Sequence, residues 1–318
     1  MTGSATSALP VDTVQHEALF YRTAQEFVAG TARFVRTGLD TGDPVLVAVP
    51  GGAKIEALRS AAAGAGSVQF ADMTEVGRNP ARIIPFVRRF ADQHAGRRVW
   101  FVGEPIWPER SAAEYRECVR HEALLNTAFA GTAITIFCPY DVAGLDHGAI
   151  ADAWRTHPVL VDGLDTRPSP GYADPAMLYA ADDWPLPDSP AGAEVLPYQH
   201  HDLHRIRELV LRWARLAGLG ADRADDLLVA VNKVATNTLA HTDAGGTLRI
   251  WREPPTGRLV CELRDTGRIA DPLVGRRLPA IDAERGRGLW LANQFCDLVE
   301  LRSNEHGTTV RLHASQRS

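Results

Sequence analysis

The sequence predicts an α/β protein of two domains, the first built on a parallel sheet. Three observations carry that prediction. A chain of 318 residues suits two average domains, each large enough to bury its own core. Between Val45 and Asp141 short apolar runs alternate with helical patterns, the signature of βαβ units with helices on both sheet faces. From Pro158 to Pro197 the chain turns proline-rich, with prolines at 168, 170, 175, 185, 187 and 190, and beyond it the order of elements changes.

Composition narrows the class. Apolar residues make up 45% and charged residues 23%, as in a soluble globular protein. A formal net charge of -5 gives no reason to expect a nucleic-acid or membrane partner. Cys118, Cys138, Cys261 and Cys296 lie far apart without a CxxC pair, against a zinc ribbon or disulfide scaffold and in favour of buried thiols in a reducing compartment. With no signal-like start and no long apolar run, the expected location is the cytoplasm.

Taken in order, residues 1 to 13 are small and polar and predict a mobile tail, with order beginning near His16. Leu19, Phe20, Ala24, Phe27, Val28, Phe34 and Val35 then recur at helical intervals, so the stretch from His16 predicts one amphipathic helix ending at Gly38 and Gly42. Val45 to Val49 predicts a buried strand turning through Pro50-Gly51-Gly52 into the helix AKIEALRSAAA. Next come a strand VQFADM, a helix from Pro80 to His94, a strand RVWFVGEP, a helix from Glu114 to Phe129 and a strand AITIFCPYD. PGGAKIEAL is not a phosphate loop, because Ile55 follows Lys54 where a Ser or Thr is needed for Mg²⁺. The domains are set at residues 14–165 and 198–318, with 166–197 as a linker rather than a packed layer.

The second domain is organised around DLLVAVNKVATNTLAH, Asp226 to His241. Its apolar positions Leu227, Leu228, Val231, Val234, Ala235 and Leu239 fall at helical spacing, while Lys233, Asn237 and His241 line a neighbouring stripe one turn apart. A helix from His204 to Ala217 precedes it. A strand pair TLRIW and LVCELRD, a helix Gly288 to Cys296 and a hairpin LVELRS/TTVRLH follow.

Asn237 on the helix, Asp265-x-Gly267 after a strand, Gly286-x-Gly288 entering a helix and Thr308-Thr309 on a strand occur in that order. This constellation resembles the GHKL, or Bergerat-fold, ATPase domain, and within it the anti-sigma-factor serine kinases of partner-switching systems. The resemblance implies an α/β two-layer sandwich that binds ATP and Mg²⁺. Asn237 would bring its amide oxygen to the metal, whose octahedral shell is otherwise water and phosphate. Asp265 would accept from the exocyclic amine of adenine, with Thr308 joining it directly or through water, and Gly267 would leave room for the base. Gly286 and Gly288 would let the loop close over the phosphates at a helix start that favours anions. Ile269 and Leu289 complete the expected nucleotide-contacting set.

One position departs from the family pattern. The residue four before the Mg²⁺-binding Asn is usually a Glu that takes a proton from the attacking hydroxyl; here it is Lys233. A lysine beside phosphates keeps its proton and cannot serve as that base. Either Lys233 pairs with a phosphate and favours binding without turnover, or it faces solvent and the protein is a slow enzyme.

HEALFY, GEPIWPE, the helix with Glu122 and Asn126, CPYD and RTHPVLV resemble the MEDS domain, a sensory module related to RecA-like folds. That resemblance implies a regulatory role and a small-molecule ligand. His16, Glu104, Trp107, His121, Glu122 and Tyr140, with His157, are the polar and aromatic residues to watch. Glu104 and Trp107 follow a strand's carboxyl end, where open α/β sheets bind ligands. His121 and His157 lack paired spacing and read as structural histidines rather than metal ligands.

The combined expectation is a cytoplasmic regulator whose second domain binds ATP and Mg²⁺ and controls a sigma factor or a STAS-type anti-anti-sigma partner. The sensor would bias the lid, Ala270 to Arg285, or the partner face. A homodimer is compatible with it. Its rivals are an active protein serine kinase, which must find another base than Lys233, and a two-component histidine kinase. The latter lacks the long paired helices that dimerise such a core, since His200, His201 and His204 stand at the domain's start without them.

Overall fold

A computed structural model describes residues 13–62, 67–163, 165–181, 186–254, 256–279 and 286–316. Most of the amino-terminal tail, residues 182–185 of the linker and the distal lid, residues 280–285, therefore lie outside the described residues. The chain divides into two compact units. The first comprises Met1–Val76, Phe86–Arg110 and Cys118–Leu178, and the second Gly77–Pro85, Ser111–Glu117 and Tyr179–Ser318.

The first run of elements is β1 (Val14–Tyr21), α1 (Ala24–Asp40), β2 (Val45–Val49), α2 (Gly52–Ala61), β3 (Val68–Asp72) and α3 (Met73–Val76). It continues through α4 (Ile83–Gln93), β4 (Val99–Gly103), α5 (Ala112–Ala128), β5 (Ile134–Asp141), α6 (His147–Thr156), β6 (Val159–Asp162) and β7 (Asp165–Pro168). The seven strands form one sheet in the order β3-β2-β4-β5-β1-β6-β7. Every pairing is parallel except β6 with β7, as the alternation predicts.

The single helix expected from His16 is instead a strand followed by a helix. Ala18-Leu19-Phe20-Tyr21 is a continuous buried run at the sheet centre, and such a run fits a helix period as well as a strand. The boundary is chemical. Thr23 caps α1, its Oγ1 accepting from the Glu26 amide at 3.1 Å, while the Glu26 carboxylate reaches back to the Arg22 amide at 2.7 Å. That reciprocal pair ends the strand and starts the helix.

The proline-rich stretch also holds more structure than a linker. Besides β6 and β7 it contains α7 (Pro175–Ala181) and β8 (Glu194–Tyr198), an edge strand whose Pro197 is tolerated there. The second unit continues with α8 (Leu203–Leu216), α9 (Ala221–His241), β9 (Gly246–Arg252), β10 (Leu259–Asp265), α10 (Arg287–Phe295), β11 (Leu298–Asn304) and β12 (Gly307–Ala314). Its sheet is antiparallel throughout, in the order β11-β12-β10-β9-β8.

One face of that sheet carries the helices. Leu259, Cys261 and Leu263 alternate inward along β10 and join one core with Leu227, Val231 and Val234 of α9, Ile206 and Val210 of α8, and Ala292 of α10. Each such Leu, Ile or Val stabilises the layer by roughly 1.5–3 kcal/mol. This is the expected two-layer sandwich, and it fixes the outer stripe of α9 beside the carboxyl end of β10. Among the described residues no helix is long and apolar enough to cross a membrane.

Candidate functional site

Burying the apolar face of α9 against the sheet leaves its last two turns facing a cavity of about 450 Å³. The walls come from every box singled out in the sequence. Asn237, Asp265, Gly267, Ile269, Gly286, Leu289 and Thr308 all line it, together with Thr238, His241, Arg268 and Asp271. That volume lies within the usual range for small-molecule sites.

Asp265 ends β10 opposite Thr308 on β12 and Gly246 on β9. Its carboxylate is held from two sides: Oδ2 accepts from the Thr238 hydroxyl at 2.6 Å, and Oδ1 accepts from the Gly267 amide at 2.8 Å. Two carboxylate oxygens offer about four acceptor positions, so a fixed carboxylate keeps capacity to accept from a ligand amine. Gly267 is needed for space, since a Cβ there would stand 2.9 Å from the Thr242 methyl and 3.0 Å from Asp265 Oδ1.

Thr308 stands opposite Asp265 in the sheet and lines the same cavity, and its direct bonds go to the loop. Its hydroxyl donates to the Gly267 carbonyl at 2.8 Å and shares a hydrogen bond with Ser303 Oγ, also 2.8 Å, while Ser303 Oγ accepts from the Ile269 amide at 2.8 Å. Thr308 thus pins the loop that carries Gly267 and Ile269, and the direct partner of Asp265 is Thr238. Sequence reading missed Thr238 and Ser303. Thr238 follows Asn237 directly and is 3% exposed, so a buried hydroxyl beside a site residue was the one signal that could have found it.

Opposite this floor, Gly286 opens α10 in the left-handed conformation, φ 85°, and no side chain caps the helix. A helix start is where backbone amides favour an anion. Gly288 lies directly on Asn237: a Cβ would meet Nδ2 at 2.5 Å and Cγ at 3.0 Å. The glycine is what lets α9 and α10 approach at the amide. The base of the lid is anchored too, with Asn293 Nδ2 donating to the Gly275 carbonyl at 3.0 Å and Asp271 Oδ1 accepting from the Leu273 amide at 3.0 Å.

Lys233 is exposed and does not belong to the cavity lining. Among the described residues, the carboxylates lining the cavity are Asp265 and Asp271, the latter paired with Arg277 at 3.4 Å.

The sensory candidates of the first unit do not form one site. Glu104 is buried just beyond β4, accepting from Tyr21 Oη at 2.7 Å and from Lys54 Nζ at 2.5 Å. Burial raises its pKa even against the pull of Lys54, and burial with the neighbouring Glu104 carboxylate raises that of Tyr21. Trp107 is covered by the Arg110 guanidinium, 3.7 Å from the ring centroid. His121 is buried.

His16 and Glu122, by contrast, come together with two residues the sequence left apart, Cys138 and His157. Tyr140 borders them, its ring edge-on to His157 at 5.5 Å. Burial, then the neighbouring His157, lowers His16 to about 4 against the attraction of Glu122. Burial opposes the charge of Glu122, yet the His157 and His16 rings beside it outweigh burial and hold the carboxyl below its usual range.

Comparison with known proteins agrees with both halves. Residues 15–158 match the family model of the MEDS domain, the methanogen/methylotroph, DcmR sensory domain. Residues 196–314 match that of the histidine kinase-like ATPase domain. No curated protein matches the chain. Among solved structures, the RsbU and RsbW domains of a Mycobacterium tuberculosis protein align at 15% identity and a TM-score of 0.30, over 40% of this chain and 33% of that one.

Proposed function

We propose that this chain, which joins a MEDS sensory domain to a histidine kinase-like ATPase domain, is a regulator that binds ATP with Mg²⁺ in the cavity beside α9. Through that domain it controls a sigma factor or its STAS-type anti-anti-sigma antagonist, in response to a small molecule at the sensory domain. The observation that carries the nucleotide reading is the convergence of Asn237, Asp265, Gly267, Gly286 and Thr308 on one cavity, with Asp265 already oriented by Thr238 and Gly267. In it Asp265 would receive the adenine amine, Asn237 Oδ1 would hold Mg²⁺, and the first amides of α10 would meet the phosphates. The partner class rests on the resemblance of the ordered boxes to anti-sigma kinases.

Turnover by the usual route has no carboxylate to start it, because the base position holds Lys233 and its side chain lies outside the lining. The primary reading is therefore nucleotide-dependent partner binding. An active serine kinase is the second reading, favoured by one fact: Lys233 does not fill the cavity, and Asp271 and His241 line it as alternative proton acceptors. Calorimetry of the full chain should show ATP binding that requires Mg²⁺ and is lost in Asn237→Ala. Absence of binding in the parent protein overturns the nucleotide reading, and phosphate transfer to a STAS-type protein selects the kinase.

A further inference from the structure

Parallel pairing of β1 with β5 sets Ala18 beside Cys138, so His16, two residues earlier on β1, projects from the same face. α5 brings Glu122 to that face, and the end of α6 brings His157. All four side chains are buried, none more than 1% exposed.

Their donor atoms converge. Glu122 Oε2 lies 3.2 Å from His16 Nε2, 3.4 Å from His157 Nε2 and 3.6 Å from Cys138 Sγ, and His16 Nε2 lies 3.4 Å from Cys138 Sγ. All four atoms fall within 4.8 Å of one another. Around tetrahedral Zn²⁺, bonds of about 2.0–2.2 Å to N and O and about 2.3 Å to S put N and O ligands roughly 3.4 Å apart, and S roughly 3.6 Å from either. The four measured edges match those of such a tetrahedron to about 0.2 Å.

The histidine that closes the group is set up as a ligand. His157 Nδ1 lies 2.9 Å from the Ala153 carbonyl, which can only accept, so Nδ1 carries the hydrogen of the neutral ring. The Thr156 hydroxyl donates to the Asp152 carbonyl at 2.9 Å and stands 2.9 Å from the same Nδ1. Nε2 then presents a lone pair into the cluster, and it has no hydrogen-bond partner among the described residues. A ring whose second nitrogen donates to a carbonyl is the arrangement metal-ligating histidines use.

We propose that His16 Nε2, Glu122 Oε2, Cys138 Sγ and His157 Nε2 form a tetrahedral site for a divalent transition-metal ion, with zinc as the ion the donor set fits best. Imidazole, thiolate and carboxylate are all zinc donors, and four protein ligands leave no open position. The site is closed and structural. On binding, the Cys138 thiol gives its proton to solvent and a metal–sulfur bond takes its place. The metal ties β1, α5, β5 and α6 together at the centre of the sensory unit, independently of the nucleotide cavity.

The test uses the full chain expressed in zinc- or cobalt-supplemented medium, so that burial does not block loading. Expected are one zinc ion per chain by elemental analysis and, for Co²⁺, the intense visible bands of tetrahedral cobalt with a thiolate charge-transfer band. Cys138→Ser should abolish that band and weaken Zn²⁺ retention against a chelator by more than about 100-fold, beyond the loss seen when outer partners are removed. Cys118→Ser, a buried thiol outside the cluster, should keep both signals. Folded parent protein that carries no stoichiometric metal, pale octahedral cobalt, or a charge-transfer band that survives Cys138→Ser would each overturn the proposal.

Discussion

The two polar groupings of this protein are built on opposite plans. In the first unit His16, Glu122, Cys138 and His157 are sealed in the interior with their donor atoms turned toward one another. In the second, the cavity beside α9 has a half-buried Asp265 and Asn237, glycines where backbone must come close, and a helix start whose N-cap is Gly286. A sealed cluster suits something held for the life of the fold. An open cavity lined by oriented acceptors and a helix start suits something that comes and goes, so changes to the first should act on stability and changes to the second on ligand affinity.

The largest expected effect is on the sealed side. His157→Ala removes a fully buried ring from the proposed ligand set and should lower stability by about 3–5 kcal/mol, the usual cost of truncating a large buried aromatic side chain. Urea denaturation followed by circular dichroism measures it, and a loss below about 1 kcal/mol would mean that the cluster is not a structural centre. Next comes Asp265→Ala. Hydrogen bonds to charged groups contribute about 1.5–3 kcal/mol, so ATP affinity should fall by roughly 10- to 150-fold while unfolding shifts far less. Calorimetry beside a melting curve separates the two, and equal losses in both would erase the contrast.

Gly288→Ala should have an intermediate effect. Its methyl would press on Asn237, displacing the amide meant for Mg²⁺, with affinity falling about 10-fold and the Mg²⁺ dependence flattening, for an off-rotamer strain of order 1 kcal/mol. Nucleotide titrations at several Mg²⁺ concentrations show whether the metal dependence goes first. Lys233→Glu should matter least for binding, within about 3-fold, because an exposed side chain outside the lining acts only through screened charge. Its informative readout is phosphate transfer, where gain of activity would show that only the base was missing.

The open site was legible in the sequence because its residues sit in short ordered boxes whose local spacing carries meaning. Asn237 stands on a periodic helix and Asp265-x-Gly267 ends an alternating strand, so periodicity places both on their elements, and the resemblance of the ordered boxes singles them out as site candidates. Thr238 escaped because a threonine on the buried side of a helix has no pattern of its own, and the Thr308 bonds to the Gly267 carbonyl and Ser303 were not readable because which atom a hydroxyl bonds depends on the loop, not the spacing. The sealed cluster was not legible at all as a group. Its four members are scattered from residue 16 to residue 157, and only the parallel pairing of β1 and β5, with two helices packed above, brings them together. The same strand was hidden by its own burial: Leu19, Phe20, Ala24 and Phe27 fit a helix period, and the Thr23–Glu26 cap that separates strand from helix was a readable signal that the apolar pattern overrode.

The most direct test of the nucleotide assignment is a crystal structure of the full chain with Mg²⁺ and a non-hydrolysable ATP analogue. The account predicts the adenine amine on Asp265, the base over Gly267, Mg²⁺ on Asn237 Oδ1 and the phosphates at the start of α10. Nucleotide bound elsewhere, or in this cavity with its base away from Asp265, would contradict it.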